Sequence, residues 1–526
     1  MLRVVESPGR AHHPPLVPVP NMLVPVVDHR SLTARPSARP IARGARANSP
    51  VAAAAPLLAL FLSAAPLAID AQVLTRADSA LVGRVLLAED RRDSTDVAFA
   101  EAVVHPDARV RAIAARGLGR IRDPKFVART TLPEVRQAPI WVEPAWRLRF
   151  RALAGLRDDC TALRLALMDS AWAVRLRAAD LARTSCATDD ALVQTIVRWI
   201  DRRPSELSSR RRGDVSWHAA AHGIVALARL RPDAARAYLP DLLRHPQPEL
   251  RRYATRAAAV LEDTTALRAM VEDIDDNVAE TAIDALAART GHADDARYVA
   301  ALRRDGAQVV RAAATALRGT TLATAAPAAR QAFDRFVARA DASARDARVA
   351  LLAVQGRPAT DDRPPVERVA LPRDAVRLAL GDTVVLRVTM ATTSGGGRFD
   401  VRLRGDVAPM MAARLLALAE AGYYDGLTWH RVEPDFVIQG GSPGANEYVG
   451  WRETLRDELG TVSHRRGTVG MSTRGHDTGD AQWFVNLRDN ARLDADYTVW
   501  AEVIAGIDVV DGILEGDRIR SIRRRR

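Results

Sequence analysis

WHRVEPDFVIQGG, residues Trp429–Gly441, places a guanidinium, an aromatic ring and a carboxamide close together in Arg431, Phe436 and Gln439. It ends on Gly440 and Gly441. No helix carrying Lys or Ser/Thr follows, so these glycines are backbone requirements and not a phosphate loop. Outward from this stretch the apolar period is that of strands. VVLRVTM (Val384–Met390) and GRFDVRLR (Gly397–Arg404) alternate apolar with polar residues, as half-buried strands do, and TTSGGG (Thr392–Gly397) between them reads as a hairpin turn. APMMAARLLALAEAGYYDG (Ala408–Gly426) reads as an amphipathic helix ending at glycine. GTVGMSTRGHDTGDAQWFVNL (Gly467–Leu487), LDADYTVWAEVIAGIDVVDGI (Leu493–Ile513) and the strand-like DRIRSIRR (Asp517–Arg524) complete the C-terminal segment.

These pieces resemble the cyclophilin-type peptidyl-prolyl cis/trans isomerases. That family carries F-H-R-x-x-P-x-F-x-x-Q-G-G, matched by Trp429–Gly441 with one aromatic exchange at Trp429. Its G-x-x-x-M-A and S-Q-F-F-I pieces are matched, with substitutions, by Gly467–Ser472 and Ala481–Val485, and its L-D-x-x-x-x-V-F-G-x-V by Leu493–Val503. The resemblance implies a closed eight-stranded antiparallel β-barrel capped by two helices, expected at Ala408–Ala421 and near Ile507–Leu514.

It also implies a chemistry. An X–Pro bond isomerises over a barrier of about 18–20 kcal/mol set by amide resonance. No covalent step is needed. A fixed donor must favour the twisted amide, whose nitrogen has regained its lone pair, while an apolar wall holds the proline ring. By resemblance Arg431 is that donor and Gln439 orients it. Phe436, Phe484 and Leu493 form the proline pocket, with Val437 beside them. Ser472, Thr473 and Gln482 line a groove for the preceding residues, and Tyr497 stands where bacterial members often have Tyr. Val437 replaces a usual Met, Thr473 a usual Asn, and Arg492 the Trp of eukaryotic members, so reduced activity or an altered peptide preference is expected, and tight cyclosporin binding is not. No proton is transferred in this reaction, so His430 is read as structural. His464 and His476 lie in loops without partners at metal-ligand spacing, and no cofactor or metal is expected.

N-terminal to this segment the period becomes helical and short blocks recur. HPDARVRAIAARGLGRIRDP (His105–Pro124), DSAWAVRLRAADLA (Asp169–Ala182), HPQPELRRYATRAAAVLED (His245–Asp263), DDNVAETAIDALAA (Asp275–Ala288) and DGAQVVRAAATALRG (Asp305–Gly319) each open with a turn containing Asp, Pro or Gly. Each then presents an anchor, in order Val110, Val174, Leu250, Val278 and Val309, followed by Ala pairs. The last two anchor steps are 28 and 31 residues, and the earlier two are about twice as long. Trp146–Leu156 and Trp217–Leu230 are candidates for diverged repeats in those gaps. The pattern resembles HEAT repeats, which implies an all-α helical-repeat solenoid with a binding surface for a protein partner; an irregular helical bundle is the alternative. The expected organisation is therefore an N-terminal extension (1–50), an apolar segment (51–72), helical repeats (75–355), a Pro-rich linker (356–380) and a cyclophilin-like domain (381–526).

Residues 51–73, VAAAAPLLALFLSAAPLAIDAQV, follow Arg39, Arg43 and Arg46 and end in small residues. This fits a secretory signal; an uncleaved membrane anchor and a buried helix are the alternatives. A signal implies an exported protein of the periplasm or cell envelope. The net charge of +12 invites a nucleic-acid reading, but Lys125 is the only lysine and the arginines are interleaved with acids along the chain. No nucleic-acid partner is expected on that basis. Cys160 and Cys186 read as buried helix residues or, in an oxidising compartment, as a disulfide. The functional expectation is an isomerase acting on X–Pro bonds of exported proteins. The alternative is a binding or chaperone protein that holds proline-containing peptides with little turnover.

Overall fold

The computed structural model describes residues 74–122, 139–205, 216–339, 342–361, 370–460 and 462–525. The expected N-terminal extension and apolar segment lie outside the described residues, as do residues 362–369 of the expected linker.

The alternating segments form β1 (Val385–Met390) and β2 (Arg398–Leu403), paired antiparallel. Gly395, Gly396 and Gly397 between them all have positive φ (86°, 70° and 89°), a conformation in which a Cβ would be strained. The remaining strands are β3 (Arg431–Val432), β4 (Val437–Gly440), β5 (Thr468–Met471), β6 (Trp483–Asn486), β7 (Val499–Ala505) and β8 (Ile519–Arg524). They make one curled antiparallel sheet in the order β3-β4-β6-β5-β7-β2-β1-β8. Its two ends approach each other: Ile519 N donates to Leu427 O (2.8 Å) and Trp429 N to Asp517 O (2.9 Å). Period-two alternation sends Trp429, Trp483 and Trp500 inward, where their rings meet edge to face at 4.9 and 5.9 Å. The helix Pro409–Glu420 packs over this sheet, and the short helix Ile507–Asp511 lies against β2.

The helical region follows from Ala-rich faces and Asp caps. Asp159, Asp189, Asp263 and Asp275 each accept a backbone N–H at the start of the helix that follows, and in the recurring turns Asp107 and Asp169 likewise accept from Arg109 N (2.8 Å) and Ala171 N (2.8 Å). All five anchor residues are buried. Trp217–Leu230 packs on Pro248–Val260, which packs on Asp276–Thr290, then Ala307–Ala316, then Arg345–Val354. Small buried residues such as Ala220, Ala254, Ala282 and Ala313 line these contacts and let the helices approach. Cys160 and Cys186 are joined in a disulfide within this region.

Leu74–Arg526 forms one compact unit. The helices Arg76–Arg91, Val97–Val103 and Ala108–Arg122 share a core with the sheet, through residues such as Leu86, Phe99 and Ile113. Part of the stretch expected to be linker is folded too: Ala375–Ala379 is a short helix packed on Pro409–Glu420, with Ala375 and Leu378 buried. Arginines stitch the helices to the strands. Fully buried Arg147 donates from Nε to Pro434 O (2.9 Å) and from Nη2 to Asp511 Oδ1 (2.7 Å). Arg252 pairs with Glu515, which also accepts from Tyr253 Oη (2.9 Å). Burial alone would push the Glu515 carboxyl up, but the Arg252 and Arg256 guanidiniums hold it down at about 2.

Candidate active site

Register brings the predicted residues onto one face. Across β3–β4 Arg431 pairs with Gln439. Across β4–β6 Gln439 pairs with Phe484, and Val437 with Asn486. Across β5–β6 Gly470 pairs with Phe484. Directly opposed residues share a face, so Arg431, Val437, Gln439, Phe484 and Gly470 line one surface while Ile438, Trp483 and Val485 point into the core.

The polar part of this surface is a chain of contacts. Arg431 Nη1 lies 3.5 Å from Gln439 Oε1. Gln439 Nε2 donates to Ser472 Oγ (2.8 Å) and to Gln482 Oε1 (3.1 Å). Gln482 Nε2 in turn donates to the carbonyls of Glu447 (3.2 Å) and Val449 (3.1 Å). Gln439 and Gln482 are buried, so each carboxamide is fixed by its partners and not by water. Thr473 follows Ser472 at the end of β5 and is half-buried.

The apolar part surrounds Phe484. Its ring stacks on His464 at 5.6 Å and meets Tyr497 edge to face at 5.8 Å. A Cβ on Gly470 would come within 2.3 Å of the Phe484 ring, so the glycine leaves the space that the ring occupies. Phe436 follows the turn after β3, half-buried, with its backbone carbonyl accepting from Leu487 N (3.0 Å) and Asn490 Nδ2 (3.2 Å). Arg492 lies over the Phe436 ring at 4.3 Å, a cation–π contact at the rim where the resemblance placed a Trp in other members. Leu493 and Tyr497 are half-buried, and Val437 is buried. Burial raises the Tyr497 phenol above its ordinary value.

His430 is buried. Burial pulls its pKa down to about 4, so the imidazole is neutral at neutral pH. His464 is also held below its ordinary value by burial, with Nε2 on Tyr497 O (3.1 Å) and Nδ1 on Asn486 Nδ2 (3.1 Å). It is a wall of the aromatic pocket.

Sequence reasoning missed four contributors. Glu447 Oε1 lies 3.0 Å from Arg431 Nη1, and Glu433 Oε1 lies 3.6 Å from its Nε. Asn490 ties the Phe436 carbonyl to Asn486 Oδ1 (2.7 Å). Gly470 makes room for Phe484. Neither Glu447 nor Asn490 belongs to a spaced motif; only the folded chain brings them in. Chemically, the surface offers a fixed cation beside an aromatic pocket and a hydrogen-bonding groove, with no nucleophile–base pair.

Residues 387–524 match the family model described as cyclophilin type peptidyl-prolyl cis-trans isomerase/CLD. Peptidyl-prolyl cis-trans isomerase B of Bacillus subtilis is 33% identical over 130 residues, which is 24% of this chain and 91% of that protein. Peptidyl-prolyl cis-trans isomerase-like 2 of Cryptococcus neoformans is 35% identical over 130 residues, 23% of this chain; the match spans only 22% of that relative's length. A crystal structure of a cyclophilin type peptidyl-prolyl cis-trans isomerase from Cryptosporidium parvum aligns with a TM-score of 0.26 and 21% identity, over 28% of this chain and 99% of that one. Through the segment that carries Arg431, Phe436, Gln439 and Phe484, the chain belongs to the cyclophilin-type peptidyl-prolyl cis-trans isomerase family.

Proposed function

We propose that the protein is a peptidyl-prolyl cis/trans isomerase acting on X–Pro bonds of exported proteins. The observation that carries this reading is the register that sets Arg431 and Gln439 beside Phe484 on one face. The proline ring sits against Phe484, Phe436 and Leu493. The preceding residues lie along Ser472, Thr473 and Gln482 as an extended strand, with Val437 and Tyr497 bordering the pocket. As the amide twists, its nitrogen becomes a hydrogen-bond acceptor and the Arg431 guanidinium donates to it. Resonance is lost at the top of the barrier, so a donor that engages only then lowers the barrier without tightening ground-state binding. Arg suits the role because its planar fork keeps both charge and orientation.

The wider reading has its own supports. The stacked helices and Asp-capped turns fit a HEAT-like scaffold that recruits a protein partner. The contacts between Leu427–Trp429 and Asp517–Ile519 fit closure of the curled sheet into a barrel. The apolar run at 51–73 and the Cys160–Cys186 disulfide fit export to an oxidising compartment, with membrane anchoring if the run is retained. Sequencing the mature N-terminus decides between cleavage and anchoring.

A second reading, a holding protein with little turnover, is favoured by the ion pair that already occupies Arg431 Nη1. One assay separates the two. Exchange of a short X–Pro peptide is measured with wild type and Arg431→Ala. Loss of one transition-state donor is expected to cost about 10²-fold in kcat/KM. Equal rates for the two proteins would sink the enzymatic reading.

A further inference from the structure

The carboxylate beside Arg431 is presented by a segment that the helices hold in place. Along Ser442–Arg452, Asn277 Nδ2 donates to Gly444 O (3.1 Å), and Asn446 Nδ2 donates to Gln308 Oε1. The Arg311 guanidinium lies over the Tyr448 ring at 4.3 Å and is itself paired with Glu280 (2.5 Å). Ala342 N donates to Arg452 O (3.1 Å). Arg474, just past the groove residues Ser472 and Thr473, bonds Glu447 O (2.8 Å) and Asp346 (2.6 Å). Glu447 therefore sits at a fixed place on the rim, with its backbone carbonyl on Gln482 and its carboxylate on Arg431, and its charge reaches Tyr497.

We propose that Glu447 is a specificity-determining residue of the groove, selecting X–Pro segments that carry Lys or Arg within the two positions before the proline. This rests on the isomerase reading of the same site. The argument is one of partner exchange. In the free protein Glu447 and Arg431 neutralise each other, with both side chains partly exposed (40% and 33%). A cationic side chain entering along Gln482 replaces Arg431 as the partner of Glu447, so the carboxylate stays paired and the guanidinium is released toward the amide nitrogen. A neutral side chain offers no replacement, and Arg431 remains shared. An acidic side chain meets Glu447 with like charge and Glu433 close by. Asn277, Gln308 and Arg311 are positioning residues for this selection, because they hold the loop and touch no substrate.

The test uses the full chain and two peptide series, with Ala, Lys or Glu placed one and two residues before the proline. For wild type, kcat/KM is expected to rank Lys above Ala above Glu in at least one series. The Lys-to-Glu ratio should be about twofold to fivefold, the range of a partly exposed ion pair, and should shrink as salt rises. Glu447→Gln should flatten the ranking and Glu447→Lys should invert it. Arg311→Ala should narrow the ratio, and Arg311→Lys, which keeps a cation over Tyr448, should restore it. A wild-type ranking that persists in Glu447→Lys, or the absence of any ranking, overturns the proposal. Peptide affinity is measured in parallel by calorimetry. If wild type and Arg431→Ala give equal exchange rates, the isomerase reading fails, and the affinities still decide the selection. A Lys preference abolished by Glu447→Gln supports it; equal affinities refute it.

Discussion

Replacing Arg147 with Ala tests whether the helices hold the candidate face in shape. Arg147 lies on the helix Ala145–Ala152 and is fully buried. Its fork reaches three groups of the strand segment: Pro434 O, Leu487 O and Asp511. Breaking a buried ion pair by removing one partner usually costs about 3–5 kcal/mol. Here Asp511 keeps Arg466, at 2.7 and 2.9 Å, and Leu487 O keeps Arg466 Nη1 (2.9 Å). What is lost outright is the donor to Pro434 O and the packing of the side-chain stem. The part-buried Pro434 carbonyl left without its donor costs about 1 kcal/mol, and the void left by the side chain adds to it, so the expected loss is about 2–4 kcal/mol. Arg147→Met keeps the stem and removes the buried charge, so its loss should be roughly half as large. Pro434 and Asp435 immediately precede Phe436, and Asp435 has a second tie in Arg151 (2.7 Å). The proline pocket should therefore slacken without collapsing: KM rises several-fold while kcat moves less. Urea denaturation followed by tryptophan fluorescence gives the stability change, and peptide exchange over a range of substrate concentrations gives the kinetic split. An Ala variant with an unchanged midpoint and an unchanged KM would show that this contact carries neither stability nor pocket geometry.

Two further substitutions follow from the same structure. Glu458 is buried, its carboxylate accepts from Met410 N and Met411 N at the start of the helix Pro409–Glu420, and burial raises its pKa to about 7. The folded state then holds the proton more tightly than the unfolded chain, so this stabilisation is complete below the ordinary value of 4.5 and is lost as pH rises to about 7. Glu458→Gln should flatten that part of the stability-versus-pH curve; thermal midpoints at pH 5 and 7.5 check it, and parallel curves for the two proteins refute the assignment. Gly470→Ala places a methyl group against Phe484, so KM should rise and stability should fall by about 1–3 kcal/mol. Unaltered kinetics would mean that the ring has slack.

The candidate face was legible in the sequence because it rests on short-range regularities. Arg431, Gln439 and Phe484 belong to motifs whose spacing follows strand alternation, and antiparallel register then opposes them. The helical anchors were legible for the same reason: Val110, Val174, Leu250, Val278 and Val309 repeat after a turn, and each is buried. What local pattern does not encode is the partner of a charge. Arg147, Arg252 and Arg311 each look like one more arginine on a solvated helix face, yet they meet Asp511, Glu515 and Tyr448 across long sequence separations. The arginine-rich composition reads differently once those partners are seen. A guanidinium can bond several acceptors at once in one plane, so it satisfies loop carbonyls and a carboxylate together at a buried seam, where a lysine ammonium is a point charge. Ala375 and Leu378, in a stretch that reads as linker, are buried for a different reason: they join the apolar core that the sheet shares with the first three helices. The helices thus reach the groove through named contacts, Arg147 on the Phe436 side and Arg311 on the Glu447 side. On the proposed reading, a change of either contact should move one wall of the pocket while Arg431, the proposed donor, is kept, so substrate preference is expected to shift more than turnover.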